Sequence, residues 1–234
     1  MNGNPKQCLI LDDANFYNHQ GVANRFPCKC YLSFSYAMNY LAHAFLSFGH
    51  PQILVGNMIS DFVKGKKKDA YPDLIKKGIM LHRAIDSFTD LHERTTFAKQ
   101  FFRPHYRLYS GAFVDIVYDH FLANDKVELN NNRLMEFSQQ TYAILDQYNA
   151  QLPEDFSNML PYMKKHNWLY NYRYRWGIQN SFGGLVHRAV YLTESKRAFE
   201  VFEDHYNELR ECYDAFFPDV KKMAWEHLQS LLSA

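Results

Sequence analysis

Isolated histidines and aspartates interrupt stretches that are otherwise apolar and helical in period. His43 falls within the stripe Leu41, Ala44, Phe45 and Phe48. Asp61 stands between Ile59 and Phe62. His82 and Asp86 are four residues apart, so on a helix they share a face, and Asp90 extends that face by a turn. Asp115 and Asp119 repeat the spacing, and His120 lies on the apolar side with Phe113, Ile116 and Val117. Burying any such group is costly, or forces it neutral, unless it meets a partner.

A single buried His is usually a hydrogen-bonded core residue, and a single Asp is usually a cap or an ion-pair partner. Here they recur on consecutive helices, so packing those helices together can bring imidazole nitrogens and carboxylate oxygens to one place. A donor set without thiolates suits Mn²⁺ or Mg²⁺, with Zn²⁺ and Fe²⁺ also compatible. Such an ion lowers the pKa of bound water and polarises a phosphoryl oxygen, so metal-assisted phosphoester hydrolysis is the chemistry expected. The order of the groups is similar to that in HD-type phosphohydrolases. The adjacent His-Asp pair of that superfamily is absent, and His82 with Asp86 would have to stand in for it.

Other chemistries find little support. Ser60, Ser87 and Ser110 lie near charged residues, but none sits in a G-x-S-x-G elbow. Neither a Walker loop nor a G-x-G-x-x-G turn is present, which argues against nucleotide-driven or NAD-dependent reactions. Cys28 and Cys30 form C-x-C with no matching second pair. With Cys8 they read as free thiols of a reducing compartment rather than as a metal knuckle.

The elements that must position these groups are helices. Tyr40 to Phe48 carries an i, i+3/i+4 stripe that Gly49 ends. Pro51 suits the first position of a second helix, closed by Gly65, and Pro72 opens a third. A fourth spans Ser110 to Ala123. Further helices are expected at about 133–150, 155–171, 174–191 and 195–215, with a last one after Pro218. No convincing strand alternation or internal repeat is found. The fold class expected is all-α, a single compact multi-helix domain over 38–234 that is HD-phosphohydrolase-like. Residues 1–37 are rich in Asn, Gly, Pro and Cys and have no sustained period. They read as an N-terminal extension, either non-native or a short arm packed on the domain.

At 234 residues, 47% hydrophobic and 22% charged, the chain has ordinary globular composition. A net charge of +1 means that any basic binding surface is local. The N-terminus lacks a basic stretch followed by an apolar run, and no run is apolar enough to span a membrane, so the cytoplasm is the expected compartment.

Four segments carry a family likeness: M-N-Y-L-A-H (38–43), G-N-M-I-S-D-F-V-K-G (56–65), L-H-R-A-I-D-S-F-T-D (81–90) and V-D-I-V-Y-D-H-F-L (114–122). With the weaker W-L-Y-N-Y (168–172) and the 195–218 region, they resemble the acyl carrier protein phosphodiesterases over nearly all of 38–234. The resemblance also makes Met38 the expected native start. It implies removal of 4′-phosphopantetheine from holo acyl carrier protein by water, with Mn²⁺ favoured. Carried onto this chain, it makes Asp61 the indispensable residue. His43, His82, Asp86, Asp119 and His120 become the expected ligand set or its supporting shell. Arg83, beside His82, would balance charge on the phosphoryl oxygens, or else pair with Asp86 or Asp90.

The implied substrate is an acidic protein. Lys64, Lys66, Lys67 and Lys68 follow the Asp61 segment, and Lys76, Lys77, Arg103 and Arg107 can extend a basic rim that steers it. The alternative is a solvated loop. No nucleic-acid recognition motif accompanies the patch. The run Trp168, Tyr170, Tyr172, Tyr174 and Trp176 reads as packing between helices, with a wall for the pantetheine arm as the alternative. Two other functions remain open: hydrolysis of a nucleotide or other small phosphoester, and a non-enzymatic helical binding protein whose buried polar groups are structural.

Overall fold

Helix punctuation in the sequence is borne out where the site is built. In a computed structural model, residues 15–17, 23–25, 40–189 and 191–233 are described. Helix α1 (Tyr40–Phe45) runs into a turn at Phe48 and Gly49, both with positive φ, and α2 (Pro51–Ile59) starts on its proline. Then come α3 (Asp73–Leu91), α4 (Glu93–Tyr106), α5 (Ser110–Ala123) and α6 (Asn131–Gln147). The chain continues through α7 (Glu154–Lys165), α8 (Trp168–Asn171), α9 (Arg175–Arg188), α10 (Lys196–Asp204) and α11 (Tyr206–Ser233).

The architecture is helical, as the sequence implies. One short ladder departs from it: β1 (Asn15–Tyr17) pairs antiparallel with β2 (Ala23–Arg25). Both strands lie within the expected extension. Cys8, Cys28, Cys30 and Met38 fall outside the described residues.

Helix α5 runs through the centre. Its residues from Ile116 to Ala123 are all buried, and α1, α4, α9 and α11 pack around it. Helices α2 and α3 make the closest crossing. A Cβ on Gly56 would lie 2.0 Å from the Ile75 carbonyl oxygen, and one on Gly78 would lie 2.3 Å from that of Ile53. Only glycine lets the two backbones meet this closely.

Four boundaries differ from the sequence reading. Helix α4 was not expected, because its buried face is only Thr95, Ala98, Phe102 and Tyr106 amid charged residues and Pro104. Helix α2 stops at Ile59 rather than running to Gly65, and a 3₁₀ turn (Ser60–Phe62) follows. The 155–171 helix is broken at Asn167, whose φ of 41° is left-handed. The 195–215 helix breaks at His205, and α11 then passes through Pro218 instead of starting after it. Tyr213, Phe216 and Phe217 before the proline and Val220, Ala224 and Leu228 after it are all buried. Packing along both halves outweighs the one helical hydrogen bond that Pro218 forfeits.

Candidate metal centre

The α2–α3 crossing places the polar residues of both helices against α1. His43 on α1, His82 on α3 and Asp86 one turn further on bring ligand atoms within 4.8 Å of one another. The two imidazoles stack with centroids 3.9 Å apart and planes 16° from parallel. His82 Nε2 lies 3.0 Å from Asp86 Oδ2 and 3.2 Å from Asp61 Oδ1. His43 Nε2 lies 3.2 Å from Asp86 Oδ1. That approach lacks hydrogen-bond geometry, so His43 Nε2 is a buried nitrogen without a hydrogen-bond partner. Asp61 reaches the cluster because the 3₁₀ turn after α2 swings it toward α3.

Asn57 organises the pair from behind. Its amide nitrogen donates to the His43 carbonyl at 2.8 Å and to Ser47 Oγ at 3.1 Å. Its Oδ1 is therefore an acceptor, and His43 Nδ1, 2.8 Å away, carries the proton. The Asn57 backbone carbonyl does the same for His82 Nδ1 at 2.7 Å. When neutral, both rings thus present Nε2 lone pairs to carboxylate oxygens. Sequence reasoning passed over Asn57. The available signal was a carboxamide in the apolar run Ile53–Ile59 of a buried helix.

Lone pairs facing carboxylates need a proton or a cation between them. Burial pulls the pKa of His82 down, but Asp86 and Asp61 outweigh it and raise it to about 10 without metal. Burial and then the His82 charge hold His43 below the ordinary imidazole value. Burial works against ionisation of Asp86, yet the two histidines keep its pKa below the ordinary carboxylate range. Two imidazolium charges ~4 Å apart would repel by about 4 kcal/mol at an effective dielectric of ~20. One proton therefore suits His82 and leaves His43 unsatisfied, whereas one divalent ion satisfies both rings. Nitrogen and oxygen ligands about 2.1 Å from a common ion stand roughly 3 Å apart at right angles, close to the separations seen. The donor set fits a divalent cation.

The remaining expected residues lie elsewhere. Asp119 is fully buried and accepts from Leu41 N at 3.0 Å and Ala42 N at 2.8 Å, so it caps the start of α1. Burial pushes its pKa up, while those donors and Tyr172 oppose the shift. His120 bonds to other partners, with Nδ1 2.7 Å from the Tyr172 carbonyl and Nε2 3.2 Å from the Tyr206 hydroxyl. Burial holds its pKa at about 4. The structure brings neither Asp119 nor His120 into the ligand cluster. Half-buried Asp115 feels the charges of Asp86, Asp90, Lys99 and Asp61, and its pKa is raised, chiefly by burial.

Among the described residues Arg83 does not form the alternative ion pair with Asp86 or Asp90. It donates to the Val63 carbonyl at 2.7 Å and reaches the Gly65 carbonyl at 3.5 Å, holding the Lys64 loop on α3. Lys66 and Lys67 are exposed on that loop, whereas Lys68 and Lys76 converge on Asp69, and Lys77 pairs with Asp73. Trp168 is half-buried against the core.

Comparison with known proteins bears on this centre. Residues 38–220 match the acyl carrier protein phosphodiesterase family model. The chain belongs to that family. A Yersinia pestis protein named acyl carrier protein phosphodiesterase is 31% identical over 193 residues, covering 82% of this chain and all of the relative. Proteins of the same name from Enterobacter sp. (strain 638) and Pectobacterium atrosepticum are 31% and 30% identical over 188 residues, each covering 80% of this chain and 97% of the relative. No solved structure matches the chain. All the ligand atoms gathered at the centre lie within the family match. No described helix is long and apolar enough to cross a membrane.

Proposed function

We propose that this chain hydrolyses the phosphodiester joining 4′-phosphopantetheine to a serine of holo acyl carrier protein. His43, His82, Asp86 and Asp61 would hold a divalent ion, Mn²⁺ by preference. The carrying observation is the pair of His Nε2 atoms facing the Asp86 and Asp61 carboxylates at 3.0–3.2 Å. Family membership supplies the substrate class.

When bound, such an ion polarises a phosphoryl oxygen and lowers the pKa of an attacking water. The chain's own residues provide the rest. Asn57 fixes the tautomer and tilt of both imidazoles, so their lone pairs point at one spot. Asp61, less buried than the histidines, sits where substrate can reach and acts as the proton acceptor for water. Arg83 is a positioning residue that fixes the loop after Asp61. Lys64, Lys66 and Lys67 add positive potential that draws an acidic carrier to the centre.

The test is mass spectrometry of holo acyl carrier protein incubated with the purified chain and Mn²⁺. Loss of the phosphopantetheine mass, abolished by EDTA and by Asp61→Asn, is expected. A folded, metal-loaded protein that leaves the carrier intact would overturn the substrate assignment. Failure to bind any divalent ion would overturn the metal centre.

A further inference from the structure

A cleft lined by charged side chains and one leucine lies near the metal centre. It is an open cleft of about 380 Å³ between the end of α3, the face of α4 and the start of α5, lined by Asp90, Lys99, Arg103, Arg107, Leu108 and Ser110. Asp90 is one helical turn beyond Asp86, about 6 Å along α3. Asp115 of α5 feels the charges of Asp86 and Asp61 of the centre as well as those of Asp90 and Lys99 of the cleft.

The cleft carries excess positive charge. Lys99 donates to Asp90 Oδ1 at 2.6 Å. Arg103 and Arg107 are exposed, and among the described residues neither has a carboxylate within ion-pair distance. On the other basic stretch, Lys68 and Lys76 share Asp69 and Lys77 pairs with Asp73, while Lys66 and Lys67 stand exposed on the loop before α3. Arg107 has φ 46° and ψ −114°, an unfavourable conformation for a residue with a side chain. The turn it makes leaves Leu108 wholly exposed beside the two arginines. Two exposed arginines without a carboxylate partner, beside an exposed leucine, form a surface suited to an acidic protein face with an apolar contact.

We infer that the cleft formed by Lys99, Arg103, Arg107 and Leu108 is where the acidic face of the carrier protein docks. This rests on the function proposed above. A stable interface covers about 800 Å² per partner, a disc roughly 16 Å in radius. Cleft and metal centre therefore fit under one footprint, with the modified serine over the centre. The lysines of the 64–68 loop act at longer range, as steering charges.

The test is steady-state hydrolysis of holo carrier by the Mn²⁺-loaded full chain, comparing wild type, R103E/R107E, L108S and K66E/K67E. A small aryl phosphodiester monitors the metal centre. R103E/R107E is expected to raise KM for the carrier at least tenfold with kcat held within about twofold, and to flatten the rise of KM with salt. L108S raises KM several-fold without altering the salt dependence. A smaller effect from R103E/R107E than from K66E/K67E overturns the docking site. So does an equal loss on carrier and small ester. If wild type cleaves the small ester but not the carrier, the substrate assignment fails and the docking site falls with it.

Discussion

The Asn57 side chain joins the His43 ring, the His43 carbonyl and Ser47, while its backbone holds His82. Removing the carboxamide leaves His43 Nδ1–H without an acceptor and frees the ring. Asn57→Ala is expected to weaken Mn²⁺ binding by roughly 10–100-fold, read by calorimetric titration. An unchanged affinity would show that packing alone orients the rings. Asn57 was legible only as a polar residue in an apolar run. Its partnership with two histidines depends on which helices meet.

At the element scale, two features set the position of the centre. Asp119 caps α1 through the Leu41 and Ala42 amides, and His43 sits one residue further along. Asp119→Ala should cost about 1–2 kcal/mol in denaturant unfolding and also lower metal affinity, because His43 moves with the helix start. Loss of stability without loss of affinity would confine Asp119 to capping. The Gly56–Gly78 contact sets the α2–α3 distance. Gly56→Ala should cost at least about 2 kcal/mol, since its Cβ would meet backbone rather than a side chain that can turn away. A wild-type melting temperature would contradict so tight a crossing. The α1, α2 and α3 helices were legible from period and proline placement. The 3₁₀ turn that aims Asp61 was not, because its residues continue an apolar helical pattern.

Across the whole molecule, stability is linked to pH and metal. The pKa of His82 in the folded, metal-free chain, about 10, lies above its ordinary 6.5. Its charge therefore contributes stability that is full below about pH 6.5 and lost as pH rises toward 10. Asp86 is depressed below its ordinary 3.8, so its contribution is present above that value and lost in acid. His120, held at about 4, likewise adds stability above pH 6.5 that fades as pH falls toward 4. The metal-free melting temperature should thus decline from pH 7 to 9, over which the His120 contribution is constant. With saturating Mn²⁺ that decline should vanish and the melting temperature rise, because the ion replaces the His82 proton. Parallel curves with and without Mn²⁺ would rule out an ion at these residues.

The sequence by itself determined the helical class, the shared face of His82 and Asp86, and the family. Helical period and motif spacing are local properties and are carried by the chain directly. Only the tertiary structure separated Asp86, which meets two imidazoles, from Asp119, which meets the amides of α1. Both are aspartates on helices rich in apolar residues, with histidines nearby in sequence. Spacing says which residues share a face, but close packing at Gly56 and Gly78 and burial of α5 decide which faces meet. The energy of a buried carboxylate depends on what it meets there, so its role is settled only when the helices are assembled.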